Sequence, residues 1–324
     1  MRPLRFVLLA VASLGGGCPV AAQESYPAKQ ITIVNPYAPG GVADAITRAL
    51  AQRLSDQWHK PVVVENRSGG STQVGAAYVA KSPPDGYTLL ATDGATFMNS
   101  YLYPKANYDA AKDLIAVSGL GSIDHVLAAN PSIPAATIGD LIALGRAKPK
   151  TLTYAIIGWG SPNHVSMELL QGLTGSEFTP VYYKGGAPAL TDVIGGHISM
   201  TFLSTTLIAP TAKAGQVRAL GIGSLKRLPQ LPDIPTVAET VPGYEASYWY
   251  GLFAPRGTPD DVVNTLNKTV QTILQDANFR KEFLDRNFYE PIIGSPAQFG
   301  NHVESSVKKW AGVMQTAKAS PEAR

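Results

Sequence analysis

Residues 31–58, ITIVNPYAPGGVADAITRALAQRLSDQW, decide the fold class. Ile31-Thr32-Ile33-Val34 is a short run of β-branched residues and reads as a strand. Tyr37-Ala38-Pro39-Gly40-Gly41 cannot belong to a helix or a strand interior and reads as a loop. After it, Ile46, Ala49, Leu50, Arg53, Leu54 and Trp58 recur at three- and four-residue steps, the period of a helix. A strand, a tight loop and a helix in this order form the unit of an α/β sheet.

The unit repeats outward from there. Val62-Val63-Val64 and Tyr87 to Thr92 read as strands, with a Gly-rich turn and helix between them over Ser68 to Lys81. A second series has strands at Val126 to Ala129, Leu152 to Ile157, Thr179 to Tyr183, Ile198 to Phe202 and Val217 to Ile222. Helices fit at Ile138 to Ala147, His164 to Leu173 and Pro188 to Gly195. The Pro-rich stretch Leu228 to Pro235 precedes a strand, Tyr248 to Ala254, that returns the chain to the first series. Two amphipathic helices follow, one carrying Val262, Leu266, Val270 and Ile273 on a face, the other Phe299, Val303, Val307 and Trp310. The expected architecture is α/β, two Rossmann-like lobes with mostly parallel sheets and a ligand cleft between them. Lobe 1 is expected over 23–124 and 250–324, and lobe 2 over 125–249.

Residues 1–22 read as a targeting segment: Arg2 and Arg5, an apolar Phe6 to Leu14, then Val20-Ala21-Ala22 before a cleavage site at Gln23. Cys18, the one cysteine, could instead carry a lipid, but Gly15 stands where a lipidation signal wants a branched apolar residue. Cleavage leaves a mature chain with no cysteine and so no disulfide. The expected location is periplasmic.

The formal charge of +3 falls to +1 when Arg2 and Arg5 go, which excludes a basic footprint for nucleic acid. Charged residues make up 16% of the chain, against ~25% in typical soluble domains. No later apolar run approaches the ~20 residues of a membrane helix.

Ligands in open α/β sheets lie beyond the carboxyl ends of the strands, so the post-strand loops hold the candidate site. Gly40 and Gly41 expose backbone N–H groups beside a helix start, a seat for a carboxylate; Asp44 in the first turn fits a structural role better than a ligand contact. Gly158-Trp159-Gly160-Ser161-Pro162-Asn163-His164 repeats the arrangement. Ser161 offers a hydroxyl, and a turn gains nothing from the indole of Trp159. His164 could donate to an anion, or cap and pack. Tyr183-Lys184-Gly185 is a third loop, in which Lys184 by itself reads as a solvated charge. Thr92-Asp93-Gly94-Ala95-Thr96 is a fourth.

Taken in order, Tyr26-Pro27-Ala28-Lys29, Tyr37 to Gly41 with Asp44, Val62 to Arg67, Pro84 to Leu90, Tyr183-Lys184-Gly185 with Ala187 to Leu190, Leu231 to Thr236, and Trp249 to Pro255 resemble the substrate-binding proteins of tripartite tricarboxylate transporters, the Bug-type solute receptors. The resemblance spans nearly the whole mature chain. It implies two lobes closing on a small organic acid, with the carboxylate held by the Gly40–Gly41 loop and the loop 158–164, partly through water. It also implies delivery to membrane permease subunits without chemistry on the ligand.

The chain departs from that pattern where relatives are polar. Val42 and Ala43 replace two hydroxyl residues, Ile156 and Ile157 two serines, and Trp159 an asparagine. Leu203, followed by Ser204, stands where many relatives carry an aspartate that pairs with a ligand ammonium. A buried ammonium without a partner is costly, so the expected solute is a carboxylate without an amino group, with an apolar or aromatic body enclosed by Trp159, Ile157, Val42 and Leu203. Tyr37, Pro39, Gly160, Tyr183 and Ser204 complete the expected lining.

A periplasmic sensor feeding a membrane signalling protein would have the same lobes. Enzyme activity is not expected: there is no Gly-x-Ser-x-Gly elbow, no His-Glu-x-x-His helix and no Gly-Lys-Ser phosphate loop, and the five histidines lack ligand spacing. No cofactor or metal is expected, and the chain is expected to act as a monomer.

Overall fold

The computed structural model describes residues 26–102 and 108–316. Residues 1–22, read above as a targeting segment, lie with Cys18 outside the described residues. Strand β1 (Ile31–Asn35), α1 (Val42–Trp58), β2 (Val62–Asn66), α2 (Gln73–Ala80) and β3 (Thr88–Asp93) follow one another as the sequence suggests. Strand β1 lies between β2 and β3, parallel to both, with Ile33 opposite Val64 and Leu89. Ile31, Ile33 and Val34 are fully buried, and only Thr32 of the run is partly exposed, as suits a strand covered on both faces. Helix α1 lays Ile46, Leu50 and Leu54 against the sheet.

Helix α3 (Gly94–Leu102) starts directly where β3 ends, where the sequence reading places only a loop. The short helix α4 (Ala110–Asp113) leads into β4 (Leu114–Ala129). The second lobe then contains α5 (Ile138–Ala147), β5 (Thr153–Ile156), α6 (Pro162–Thr174), β6 (Thr179–Tyr182), α7 (Gly186–Ile194), β7 (Met200–Ser204), α8 (Thr205–Lys213) and β8 (Arg218–Ile222). Strand β9 (Ser247–Pro255) returns to the first lobe, followed by α9 (Asp260–Gln275), α10 (Ala277–Phe279) and α11 (Pro296–Thr316).

The strand order is β2-β1-β3-β9-β4 in the first lobe and β6-β5-β7-β4-β8 in the second. Strands β1–β2, β1–β3, β5–β6 and β5–β7 pair parallel, as expected, whereas β4 and β9 run antiparallel to their neighbours, the edge strand β8 included. Strand β4 belongs to both sheets: Leu114 to Asp124 pair with β9, and His125 to Ala129 pair with β7.

Only the last part of β4 was legible as a strand. Its first part holds Ser118, Gly119, Gly121 and Ser122, which read as loop residues, and it carries two register shifts near these glycines. A Cβ on Gly119 would lie 2.4 Å from Ile292 Cγ2 and 3.2 Å from Phe299 Cδ2. The glycine is there for close packing against the C-terminal segment. Helix α8 escaped notice because Pro210 lies within it, a residue that usually ends helices.

Replacement of Gly119 by alanine is expected to destabilise the protein by about 1–3 kcal/mol through overpacking. Adding Ile292→Ala should recover part of the loss in urea unfolding. If Gly119→Ala alone costs nothing, the close approach of Ile292 is not what selects glycine there.

Candidate functional site

Strands β1, β2 and β3 end at Asn35, Asn66 and Asp93, and β5 and β7 at Ile156 and Ser204. The sequence-selected residues lie at or just beyond these ends and, for Tyr183 and Lys184, beyond β6; Thr92, Asp93, Leu203 and Ser204 are the last residues of β3 and β7 themselves. Pro39, Gly40 and Gly41 are exposed. Gly40 has φ +85°, a conformation only glycine adopts without strain, whereas Gly41 is extended at φ −81°.

Asp44 shapes this loop from behind. Its carboxylate accepts from Gly40 N–H at 2.9 Å, Arg48 Nε at 2.9 Å, Asn66 Nδ2 at 2.7 Å and Asn35 Nδ2 at 3.3 Å. Burial pushes this carboxyl up, but the hydrogen bonds from Arg48, Gly40 and Asn66 outweigh it and hold it at about 2. The Gly40 N–H is therefore spent on Asp44 rather than offered to a solute. The donors beside it are those of the α1 start, whose N-cap Gly41 makes no side-chain cap. Val42, half-buried, opens α1, and its carbonyl accepts from Tyr289 Oη at 2.7 Å.

Asp93 closes β3 and is buried. It accepts from Tyr37 Oη at 2.7 Å and from Ala95 N–H at 2.9 Å. Here burial prevails over those hydrogen bonds and raises the carboxyl to about 6. Thr92 Oγ1 lies 2.5 Å from Thr96 Oγ1, which donates to Thr72 Oγ1 at 2.9 Å. Thr72 follows a segment the sequence reading did not single out. Gly69, Gly70, Ser71 and Thr72 all have positive φ, and two consecutive non-glycine residues there mark a strained loop of the kind found at ligand sites. Its signal in the sequence was Gly69-Gly70 followed by two hydroxyl residues.

On the second lobe, Ser161 donates to Gly158 O at 2.5 Å and lies 2.6 Å from Asn163 Oδ1. His164 is fully buried. Its Nδ1 accepts from Gly160 N–H at 3.0 Å, and its Nε2 is 3.6 Å from Glu168 Oε1. One ring nitrogen is thus held by the loop backbone, while Nε2 makes no hydrogen bond among the described residues. Trp159, half-buried, stands edge-on to His164 with centroids 4.8 Å apart. Tyr183 donates to Asp192 at 2.6 Å, and Lys184 is exposed.

Leu203 lies in the second lobe's core, only 2% exposed. It and Leu207 press on the Gly186 position, with half-buried Ile157 just beyond. Ser204 is buried on the opposite face of β7, and its Oγ has no hydrogen-bond partner among the described residues.

The two sets of loops meet. A Cβ on Gly158 would lie 3.3 Å from Ser71 Oγ. A small pocket between the lobes is lined by Gly94, Ala95, Gly160, Pro162, Tyr248 and Trp249, among others. Among the described residues no cluster of three or more His, Cys, Asp or Glu could hold a metal, and no helix is long and apolar enough to cross a membrane.

With that geometry in view, comparison with known proteins is informative. Residues 46–318 match the family described as "Tripartite tricarboxylate transporter family receptor". Protein BugT of Bordetella pertussis is 33% identical over 317 residues, covering 97% of each chain. The solved structure "R. palustris Rpa4515 with adipate" is 37% identical with a TM-score of 0.85, covering 91% of this chain and 99% of that one. "MatC (Rpa3494) from Rhodopseudomonas palustris with bound malate" is 29% identical with a TM-score of 0.81, covering 89% and 99%.

The two buried carboxyls predict opposite pH behaviour. Asp44 is held below its ordinary 3.8, so its contribution is present above that value and lost as pH falls towards about 2. Asp93 is raised from 3.8 to about 6. The folded state keeps a proton the unfolded chain has released, and stability declines as pH rises through that window. Asp44→Ala should cost about 2–4 kcal/mol, because Gly40 N–H and two asparagine amides lose their acceptor. Asp93→Asn should flatten the stability profile between about pH 4 and pH 6. A profile with the same slope in Asp93→Asn and the parent would refute the assignment to Asp93.

Proposed function

The chain belongs to the tripartite tricarboxylate transporter receptor family, a family of solute-binding receptors rather than enzymes, and on that premise we propose that it captures a small organic carboxylate lacking an amino group outside the cytoplasm. The lobes close over the solute, and the loaded receptor passes it to the membrane permease subunits of a tripartite transporter. Export through the cleaved segment 1–22 supplies the periplasmic location, and the receptor works as a monomer.

The observation that carries this reading is the exposed Pro39-Gly40-Gly41 loop opening onto an uncapped helix start. Backbone N–H groups at the positive end of a helix dipole suit an anion. Asp44 is turned inward by four donors, so its charge is compensated within the first lobe rather than aimed at the incoming acid. Two related proteins carry adipate and malate in their structures, which supports a carboxylate here.

The expected lining divides into parts that touch solute directly and parts that hold them. Gly41, Val42, Ile157 and Trp159 are the direct contacts in this reading. Tyr37, Asp93, Thr92, Gly160 and Ser161 fix the loops, since their polar groups are already hydrogen-bonded, and His164 holds Gly160 N–H through Nδ1. Leu203 backs Ile157 with hydrocarbon where an ammonium would need an acid. In this reading the hinge lies where β4 changes partner from β9 to β7, at Asp124–His125, and where the chain enters β9, at Ala246–Ser247.

A thermal-shift screen of the mature protein against di- and tricarboxylates, amino acids and aromatic acids tests the reading. A ligand at a hundred times its Kd adds about 2.7 kcal/mol of stability. Acids without an amino group should shift the transition, amino acids should not, and Trp159→Ala should weaken the best acid about thirtyfold. An amino acid as the strongest binder would overturn the role given to Leu203.

A further inference from the structure

The loop that carries Trp159 is pinned from beneath by one side chain. His164, fully buried in the first turn of α6, accepts Gly160 N–H on Nδ1 at 3.0 Å, and Trp159 stands edge-on against its ring. An imidazole nitrogen that accepts a hydrogen bond carries no proton, so the one N–H of the neutral ring sits on Nε2. That Nε2 is buried and makes no hydrogen bond among the described residues. It faces Glu168 Oε1 at 3.6 Å, one helical turn along α6.

Glu168 is itself fixed from two sides. Tyr154 Oη donates to its Oε1 at 2.7 Å, and Gln171 Nε2 donates to the same oxygen at 3.1 Å. Tyr154 is fully buried in β5, the strand that ends in the Trp159 loop. Gln171 Oε1 in turn accepts from Phe178 N–H at 2.6 Å. The Glu168 side chain is only 13% exposed. Burial pushes its carboxyl up, but His164, Tyr154 and Gln171 outweigh burial and hold it below the ordinary carboxylate range. An anionic oxygen therefore stands opposite Nε2, where screening is weak. It favours a proton on Nε2 over one on Nδ1, and a proton on Nδ1 would set two donors against each other at Gly160.

We infer that Glu168 is a positioning residue for solute capture: it holds His164 in the Nε2–H form, so that Nδ1 stays open to Gly160 N–H and the loop keeps Trp159 at the cleft. The role rests on the carboxylate-receptor reading, in which Trp159 touches the solute. A core network without that role would contribute stability alone.

Two substitutions separate the acceptor from the packing. Glu168→Gln keeps an acceptor oxygen that Tyr154 and Gln171 orient as they do Oε1, whereas Glu168→Leu keeps bulk and has no acceptor. Imidazole nitrogen NMR of histidine-labelled mature protein reads the His164 tautomer without solute, with His164→Phe identifying the resonance. Titration calorimetry gives Kd for the best acid of the thermal-shift panel. The parent and Glu168→Gln should both show the Nε2–H form and agree in Kd within about threefold. Glu168→Leu should lose the pure Nε2–H form and bind about tenfold more weakly, the scale of one lost hydrogen bond. If Glu168→Leu does not fold, Glu168→Met, unbranched and also without an oxygen, takes its place. A parent in the Nδ1–H form would overturn the inference. So would a Glu168→Leu protein with the parental tautomer, even if its binding weakened. A lower melting temperature with tautomer and Kd both unchanged would mean that Glu168 serves folding alone. If no acid of the panel binds the parent, the carboxylate reading falls and takes the role in capture with it, whatever the tautomer.

Discussion

A single strand has to satisfy two sheets, and the rest of the molecule is arranged around that demand. The backbone of β4 pairs with β9 as far as Asp124 and with β7 from His125 onward. The changeover is stitched from both sides. Ser247 Oγ donates to Asp124 Oδ1 at 2.7 Å, and Thr205 Oγ1 donates to Asp124 O at 2.8 Å. Gly223 N–H bonds to His125 O, and Ala246 N–H bonds to Gly223 O at 2.8 Å, which ties the returning chain to the outgoing one. Burial raises the Asp124 carboxyl, and the serine hydroxyls at 247 and 224 pull against it. With the strand fixed here, the carboxyl ends of the parallel strands in both lobes face each other, so the cleft is a consequence of the crossover.

The same region explains why one core cluster includes residues of both lobes. Phe97, Trp249 and Phe299 of the first lobe pack in a cluster with Val165 and Leu170 of the second. Tyr248 stacks on Trp310, with centroids 5.7 Å apart, and Trp249 Nε1 donates to Ser306 Oγ at 2.9 Å. Helix α11, last in the chain, thus covers the rear of the crossover and contributes Ser306 and Trp310 to the interlobe pocket. Aromatic plates bury large apolar areas with few directional bonds, which lets a contact persist while its two sides shift slightly.

Much of this was legible in the sequence because the signals were local. The strand–loop–helix of residues 31–58 needs only β-branching, Pro-Gly-Gly and a helical period. The order of short motifs then carried the family. What escaped had non-local causes. Gly119 and Gly121 read as loop residues until Ile292, Phe299 and Tyr289 are known to press on them. Pro210 concealed α8. For His164 donation and packing both stayed open, because nothing in the sequence shows that Gly160 N–H points at its Nδ1. Ser71 and Thr72 looked ordinary because positive φ leaves no mark on composition.

Two aspartates lie beside the loops at the cleft, and their charges are handled by opposite physics. Asp44 stays ionised and is neutralised inward by Arg48, Gly40 N–H and two asparagine amides, so the charge becomes the scaffold that holds the Gly-Gly turn open. Asp93 has no cation against it among its hydrogen-bond partners. A tyrosine hydroxyl and one backbone N–H hold it, and burial lets it keep a proton up to about 6. The first arrangement costs a basic residue but is insensitive to pH over the neutral range; the second needs none but ties the shape of the Tyr37 loop to one titrating group. Exchanging the two environments would put an unneutralised charge behind the Gly40–Gly41 turn, a charge that Arg48, one helical turn after Asp44, compensates.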